Sequence, residues 1–235
     1  MTSSRADGSA LALADFDADG AIAEAIDRLP TRSRFLARGG AAGAAALLAA
    51  FGLGARTASA AATAGDVAIL NFALTLEYLQ AAFYTEAERV GSLSGALAEQ
   101  ARVVGAHERA HVAGFRAVLG AAAVRQPSFD FHGVTDSPTS FRSTAVAFED
   151  LAVAAYKEQL PKIRSRSYLA TAVAIHSVEA RHAAWIRSLA GIVPAANAFD
   201  EPLADTKVVD IVNATHFVTL SPPVTSVEAR PHFTG

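Results

Sequence analysis

The sequence predicts an all-α protein built as a four-helix bundle, and three observations carry that reading. Alanine dominates a composition that is 51% hydrophobic and 18% charged, which favours helix by propensity and is ample for a sizeable core. Four stretches, about 66–90, 95–120, 143–161 and 164–191, repeat their apolar residues at the helical period, so each has one face to bury. The breaks between them fall on helix-stopping chemistry: Gly91 to Ser94 and the region of Pro161 are short links that imply antiparallel neighbours.

Taken in chain order, residues 1–60 differ from the rest. A polar start is followed by "TRSRFLARGG", the soft apolar run "AAGAAALLAAFGLG" and "ARTASAAA". Basic, apolar, small-residue is the order of an export signal, with Ala58-Ser59-Ala60 as the cleavage candidate. "TRSRFL" is similar to the twin-arginine export signal, except that Ser33 separates Arg32 from Arg34. The expected location is therefore outside the cytoplasm, periplasmic or extracellular. The apolar run is about 14 residues, too short for a membrane span, so no stable span is expected once the signal is cleaved. Asp15, Asp17, Asp19 and Gly20 imitate a calcium loop, but the bidentate glutamate such a loop needs at its twelfth position is Ile26.

The bundle is expected over 61–191. Between its second and third helices lies "AAAVRQPSFDFHGVTDSPTSFRS", long enough to return along the bundle and give one long crossover, since about a dozen extended residues already span a 25-residue helix. The tail, 192–235, carries Pro194, Pro202, Pro222 and Pro223 and reads as a cover packed on the bundle, with a short helix around Thr206 to Ala214. "NAT" at Asn213 fits a glycosylation acceptor and reads here as ordinary sequence.

Charge and composition exclude several classes. With a net charge of −3 and no basic cluster beyond the N-terminal region, nothing suits a nucleic-acid backbone. Without cysteine there is no disulfide, thiolate site or rubredoxin-type centre. The single methionine, Met1, leaves no methionine to bind haem between subunits. Any metal must be held by Asp, Glu and His.

The chemistry lies on the buried stripes. That of the fourth helix runs Tyr168, Ala172, Ile175, Glu179, His182, Ile186, Leu189, and that of the second Ala101, Val104, Glu108, His111, Phe115, Val118. The first carries a single carboxylate, Glu77, among Leu70, Leu74, Ala81 and Tyr84; the third carries Glu149 among Ala145 or Val146, Val153 and Tyr156. The order is Glu then Glu-x-x-His, twice, so the two hairpins read as a repeat in which Tyr84 and Tyr156 each follow their glutamate by two turns. One unpaired buried carboxylate costs several kcal/mol even after relaxation. Four at one level, with no Lys or Arg on the stripes, call for two divalent cations: four carboxylates carry −4 and two M²⁺ ions +4.

A glutamate from each of two helices and Glu-x-x-His from the other two is the ligand set of di-iron and di-manganese carboxylate bundles. On these residues the chain resembles the ferritin-like superfamily over about 66–191. With its leader and its "FDEPL" tail it is most similar to exported bacterial ferritin-like domain proteins related to plant desiccation-related proteins. The resemblance implies that Glu77 and Glu149 are terminal ligands, Glu108 and Glu179 bridges, and His111 and His182 one ligand to each metal, with Tyr84 and Tyr156 hydrogen-bonding the ligands. It implies two divalent ions, iron ahead of manganese, with dioxygen or peroxide as the reacting partner, and an oxidoreductase that oxidises Fe²⁺ or consumes peroxide in stress protection. Assembly into a homo-oligomer is compatible with it; a 24-subunit cage suits the long tail poorly.

Two other readings stand beside this one. The bundle could be a non-catalytic stress or structural protein that needs its cations for stability. "HERAH" also fits the zinc-hydrolase motif, with His107 and His111 as ligands and Glu108 as base, but it leaves Glu77, Glu149, Glu179 and His182 unexplained, and the repeat's counterpart of His107 is Val178. His107, His132, His176, His216 and His232 lie off the pattern and read as surface or packing residues.

Overall fold

The structure, a computed structural model, describes residues 63–221. The export-signal reading, Asp15 to Ile26, Pro222, Pro223 and His232 lie outside the described residues. Within them are five α-helices, two single-turn 3-10 helices (Gly120–Ala122 and Leu160–Lys162) and no strand: α1 (Ala64–Val90), α2 (Gly95–Leu119), α3 (Pro138–Gln159), α4 (Arg166–Leu189) and α5 (Asp205–Ala214).

Local chemistry sets the ends. Thr63 and Asp66 form a reciprocal capping box at the start of α1, with Thr63 Oγ1 accepting from Asp66 N at 3.1 Å and Asp66 Oδ2 accepting from Thr63 N at 3.3 Å. Asp66 also accepts from Arg164 N at 2.7 Å, tying the start of α1 to the start of α4. Gly91 closes α1 at φ 70°, a left-handed conformation that a Cβ disfavours. Helix α3 begins at Pro138, five residues before the sequence expectation. Its "DSPTS" start reads as a turn, yet Ser137 caps the helix by accepting from Ser140 N, and proline at the first helical position has no amide to lose.

The helices make two hairpins, α1/α2 and α3/α4. Contacts of Tyr84 with Glu149 and of Tyr156 with Glu77 run α1 antiparallel to α3, so the consecutive helices α2 and α3 are parallel and their connection must cross the length of the bundle. It does so along α1: Val124 N donates to Asn71 Oδ1 near one end, and Ser92 Oγ donates to Thr135 O beyond the other. This is the long crossover expected from the sequence.

Two apolar clusters fill the interior. One gathers Phe83, Phe141, Phe148, Ala145, Val104 and Ile186 with Phe131 of the crossover and Val208, Val212 and Phe217 of the tail. Phe83 stacks on Phe141 at 5.1 Å between centroids and meets Phe148 and Phe131 edge-on. The other holds Ile69, Leu70, Leu74, Tyr78, Phe115, Leu119, Tyr156, Ile163 and Ile175. Each large side chain so buried contributes roughly 1.5–3 kcal/mol. The tail is fastened by Asp130 N to Phe217 O at 2.9 Å and Leu203 N to Ala154 O at 3.1 Å. Both ends of the Asn213 amide are used: Nδ2 donates to Leu220 O and Oδ1 accepts from Leu220 N. Asn213 is a clamp on its own chain.

Candidate metal centre

The layer between the two clusters is polar. Glu77 comes from α1, Glu108 and His111 from α2, Glu149 from α3, and Glu179 and His182 from α4; the four carboxylates are fully buried and the two imidazoles nearly so. All six arrive at one level because residues three apart on a helix share a face and because the α1–α3 and α2–α4 pairs are antiparallel.

The sequence-predicted residues come together in two overlapping groups, Glu77, Glu108, His111 and Glu179, and Glu108, Glu149, Glu179 and His182, each compact enough to hold a metal ion. Glu108 and Glu179 belong to both. His111 Nδ1 lies 3.1 Å from Glu77 Oε2, 3.1 Å from Glu179 Oε1 and 3.5 Å from Glu108 Oε2. His182 Nδ1 lies 3.0 Å from Glu108 Oε1, 3.5 Å from Glu149 Oε2 and 3.7 Å from Glu179 Oε2. Each shared carboxylate therefore turns one oxygen toward each histidine. The unshared ones are held from behind: Tyr84 donates to Glu149 Oε1 and Tyr156 to Glu77 Oε1, each at 2.5 Å. A sequence profile of the ferritin-like domain family matches residues 65–191. The chain belongs to that family. No curated protein matches it.

The donor chemistry of this ferritin-like domain fits divalent ions. Both oxygens of Glu108 and of Glu179, Glu149 Oε2 and His182 Nδ1 are buried without a hydrogen bond, although several lie close to one another. They approach in distance but not in hydrogen-bonding direction, as donors do when aimed at common points instead of at each other. Leaving such groups unmatched costs roughly 1–3 kcal/mol each, and more when they are charged. A set of carboxylate and imidazole donors without sulfur suits divalent metal ions.

Electrostatics agree with this crowding. Burial pushes Glu77 well above the ordinary carboxylate range and Glu149 up to about 7. For Glu108 and Glu179 burial acts in the same direction, but contact with both imidazoles outweighs it and holds them below that range. Burial would lower His111 and His182; the surrounding glutamates win and raise both well above the usual imidazole value. Tyr84 and Tyr156 are raised by burial and by the carboxylates they touch, so both stay protonated donors.

One residue read as peripheral belongs to the centre. His107 Nδ1 lies 2.8 Å from His182 Nε2, with the rings stacked at 5.1 Å. Stripe reasoning missed it because position 107 is about 100° round the helix from Glu108; the ring reaches α4 across the groove. The signals that could have found it were its place beside a stripe carboxylate and the break in the repeat at Val178. His107 is in neither four-donor group, which argues against "HERAH" as a zinc-hydrolase motif. The remaining described histidines keep structural places: His132 Nε2 donates to His216 O, and the His176 ring lies 6.2 Å from that of Tyr156.

Proposed function

We propose that this ferritin-like protein holds two divalent ions, iron ahead of manganese, and is an oxidoreductase that oxidises Fe²⁺ at the expense of dioxygen or peroxide, outside the cytoplasm and in protection against oxidative stress. One observation carries the reading: Glu108 and Glu179 each offer one oxygen to the His111 group and the other to the His182 group. That is the arrangement that carboxylates shared between two ions require. The basic, apolar, small-residue order of residues 1–60 supports export.

Held among Glu77, Glu108, His111, Glu149, Glu179 and His182, two ions would supply one-electron changes in pairs. With Fe²⁺ as substrate, two Fe²⁺ lose one electron each and H₂O₂ takes both with two protons, giving two waters. The chain's own part is to fix the donors and keep the layer dry. Tyr84 and Tyr156 hold one oxygen of each unshared carboxylate, leaving Oε2 turned to the cluster, and the apolar clusters on either side exclude bulk water.

Aerobic addition of Fe²⁺ tests the reading. The expected result is O₂ or peroxide consumption with an Fe³⁺ absorbance rise, both lost in Glu108→Ala; equal rates in the two proteins would sink it. Elemental analysis of protein from its native compartment should find about two Fe or Mn per chain, whereas about one zinc would return the hydrolase reading. The complete burial of all four carboxylates favours a second reading, a protein whose cations serve stability alone. Chelation separates the two, because a large stability loss without any redox turnover supports the second.

A further inference from the structure

The two halves of the centre are not equivalent, and the difference lies one residue before the first Glu-x-x-His. The hairpin repeat places Glu108 against Glu179 and His111 against His182, which sets His107 opposite Val178. His107 is half-buried, and its Nδ1 is 2.8 Å from Nε2 of His182, the nitrogen turned away from the carboxylates. His182 Nδ1, on the other edge of the same ring, faces Glu108, Glu149 and Glu179 and makes no hydrogen bond. Valine has no polar atom, so the equivalent position of α4 offers His111 no such partner.

We propose that His107 is a positioning residue for His182, which makes the two ion positions unequal so that the one beside Glu149 and His182 binds more tightly and fills first. The proposal rests on the dinuclear reading above. An imidazole that gives Nδ1 to a cation carries its proton on Nε2. Nε2–H then donates to His107 Nδ1, which must present a lone pair and so must be neutral. The hydrogen bond fixes both which nitrogen faces the carboxylates and the rotation of the ring, and loss of such an outer contact typically lowers metal affinity 10- to 100-fold. His111 is placed differently: its Nδ1 is already engaged with Glu77 Oε2 at 3.1 Å, a contact that an ion would have to replace.

The test is anaerobic titration of the full chain with Co²⁺, followed by calorimetry and by the visible absorption of the bound ion, in wild type, His107→Ala and His107→Asn. The asparagine carbonyl can take the place of Nδ1 as acceptor. The expected result is two unequal steps in wild type, with the tighter step weakened about 10- to 100-fold and its spectrum altered in His107→Ala. The weaker step should change by less than about threefold, and His107→Asn should restore most of the tight one. Wild-type affinities in His107→Ala, or equal weakening of both steps, overturn the proposal while leaving the dinuclear reading intact. Loss of all Co²⁺ from His107→Ala overturns it in favour of His107 as a ligand. Absence of Co²⁺ binding by folded wild type overturns both this proposal and the reading it rests on. Should His107→Ala fail to fold, the asparagine variant decides alone: a wild-type tight step upholds the proposal and a lost one overturns it.

Discussion

Tyr84 and Tyr156 do the same work at the two ends of the polar layer. Each hydroxyl donates to Oε1 of a glutamate on the facing helix, while that glutamate's Oε2 faces the cluster. A carboxylate with one oxygen fixed has little freedom to rotate the other away. Tyr84→Phe keeps the ring packed against Phe83 and Phe141 but strips Glu149 Oε1 of its donor inside a dry layer. The expected loss is about 1–3 kcal/mol in urea unfolding of metal-free protein, together with weaker retention of metal; a midpoint equal to wild type at constant m-value would show that the hydroxyl contributes nothing. These tyrosines were legible in the sequence because they stand on the stripes and repeat. His107 was not, because it stands off the stripe and reaches the centre through contact with His182 of the neighbouring helix, which helical period alone does not describe.

At the scale of the helix pair, Gly105 of α2 lies tight against α1. A Cβ there would sit 2.9 Å from Tyr84 Cβ, 2.5 Å from Glu88 Oε1 and 3.0 Å from Arg109 Nη1. The Glu88 and Arg109 ends, paired with each other at 3.0 Å at the surface, can swing away. Tyr84 Cβ cannot move without dragging the ring that holds Glu149. Two effects compete in Gly105→Ala: replacing a mid-helix glycine gains about 0.5–1 kcal/mol, whereas overpacking a close contact costs about 1–3 kcal/mol. The packing effect should win, giving a lower Tm and a metal-free protein destabilised by about 1 kcal/mol; a higher Tm would mean that the helices separate freely. Periodicity located the four bundle helices, since each buries one continuous face. It placed the start of α3 late because Ser137-Pro138 resembles a turn until its cap is seen, and it gave no hint of Gly105, whose meaning lies in the neighbouring helix.

For the whole molecule, the clustering of the four glutamates and two histidines was legible because four glutamates on apolar stripes are too costly to bury without a counter-charge, and the cross-bundle pairing was not, because it depends on which helices face one another. The same four glutamates govern how stability responds to pH. Without an ion, the layer nears neutrality by keeping Glu77 and Glu149 protonated and His111 and His182 charged against Glu108 and Glu179. Glu149 is raised from 4.5 to about 7, so its stabilisation is complete below about 4.5 and is lost as pH rises toward 7. His111 and His182 are raised from 6.5, so theirs is present below that value and is lost as pH climbs through their folded values. His107 acts oppositely, since its value is lowered from 6.5 to about 4: stability is lost as pH falls through that window and is fully present above it. Above about pH 6.5 the losses stand alone, so the Tm of metal-free protein should fall steadily toward pH 8.5. Bound divalent ions replace the protons on Glu77, Glu149, His111 and His182, so binding should release protons into weak buffer and tighten as pH rises. Metal-loaded protein should therefore hold a nearly level Tm over the range in which the metal-free form declines, by RT ln(1 + [L]/Kd) with a Kd that falls with pH. Scanning calorimetry of both forms from pH 6.5 to 8.5 measures this directly. Parallel curves, or binding without proton release, would mean that the six side chains do not exchange their protons for cations.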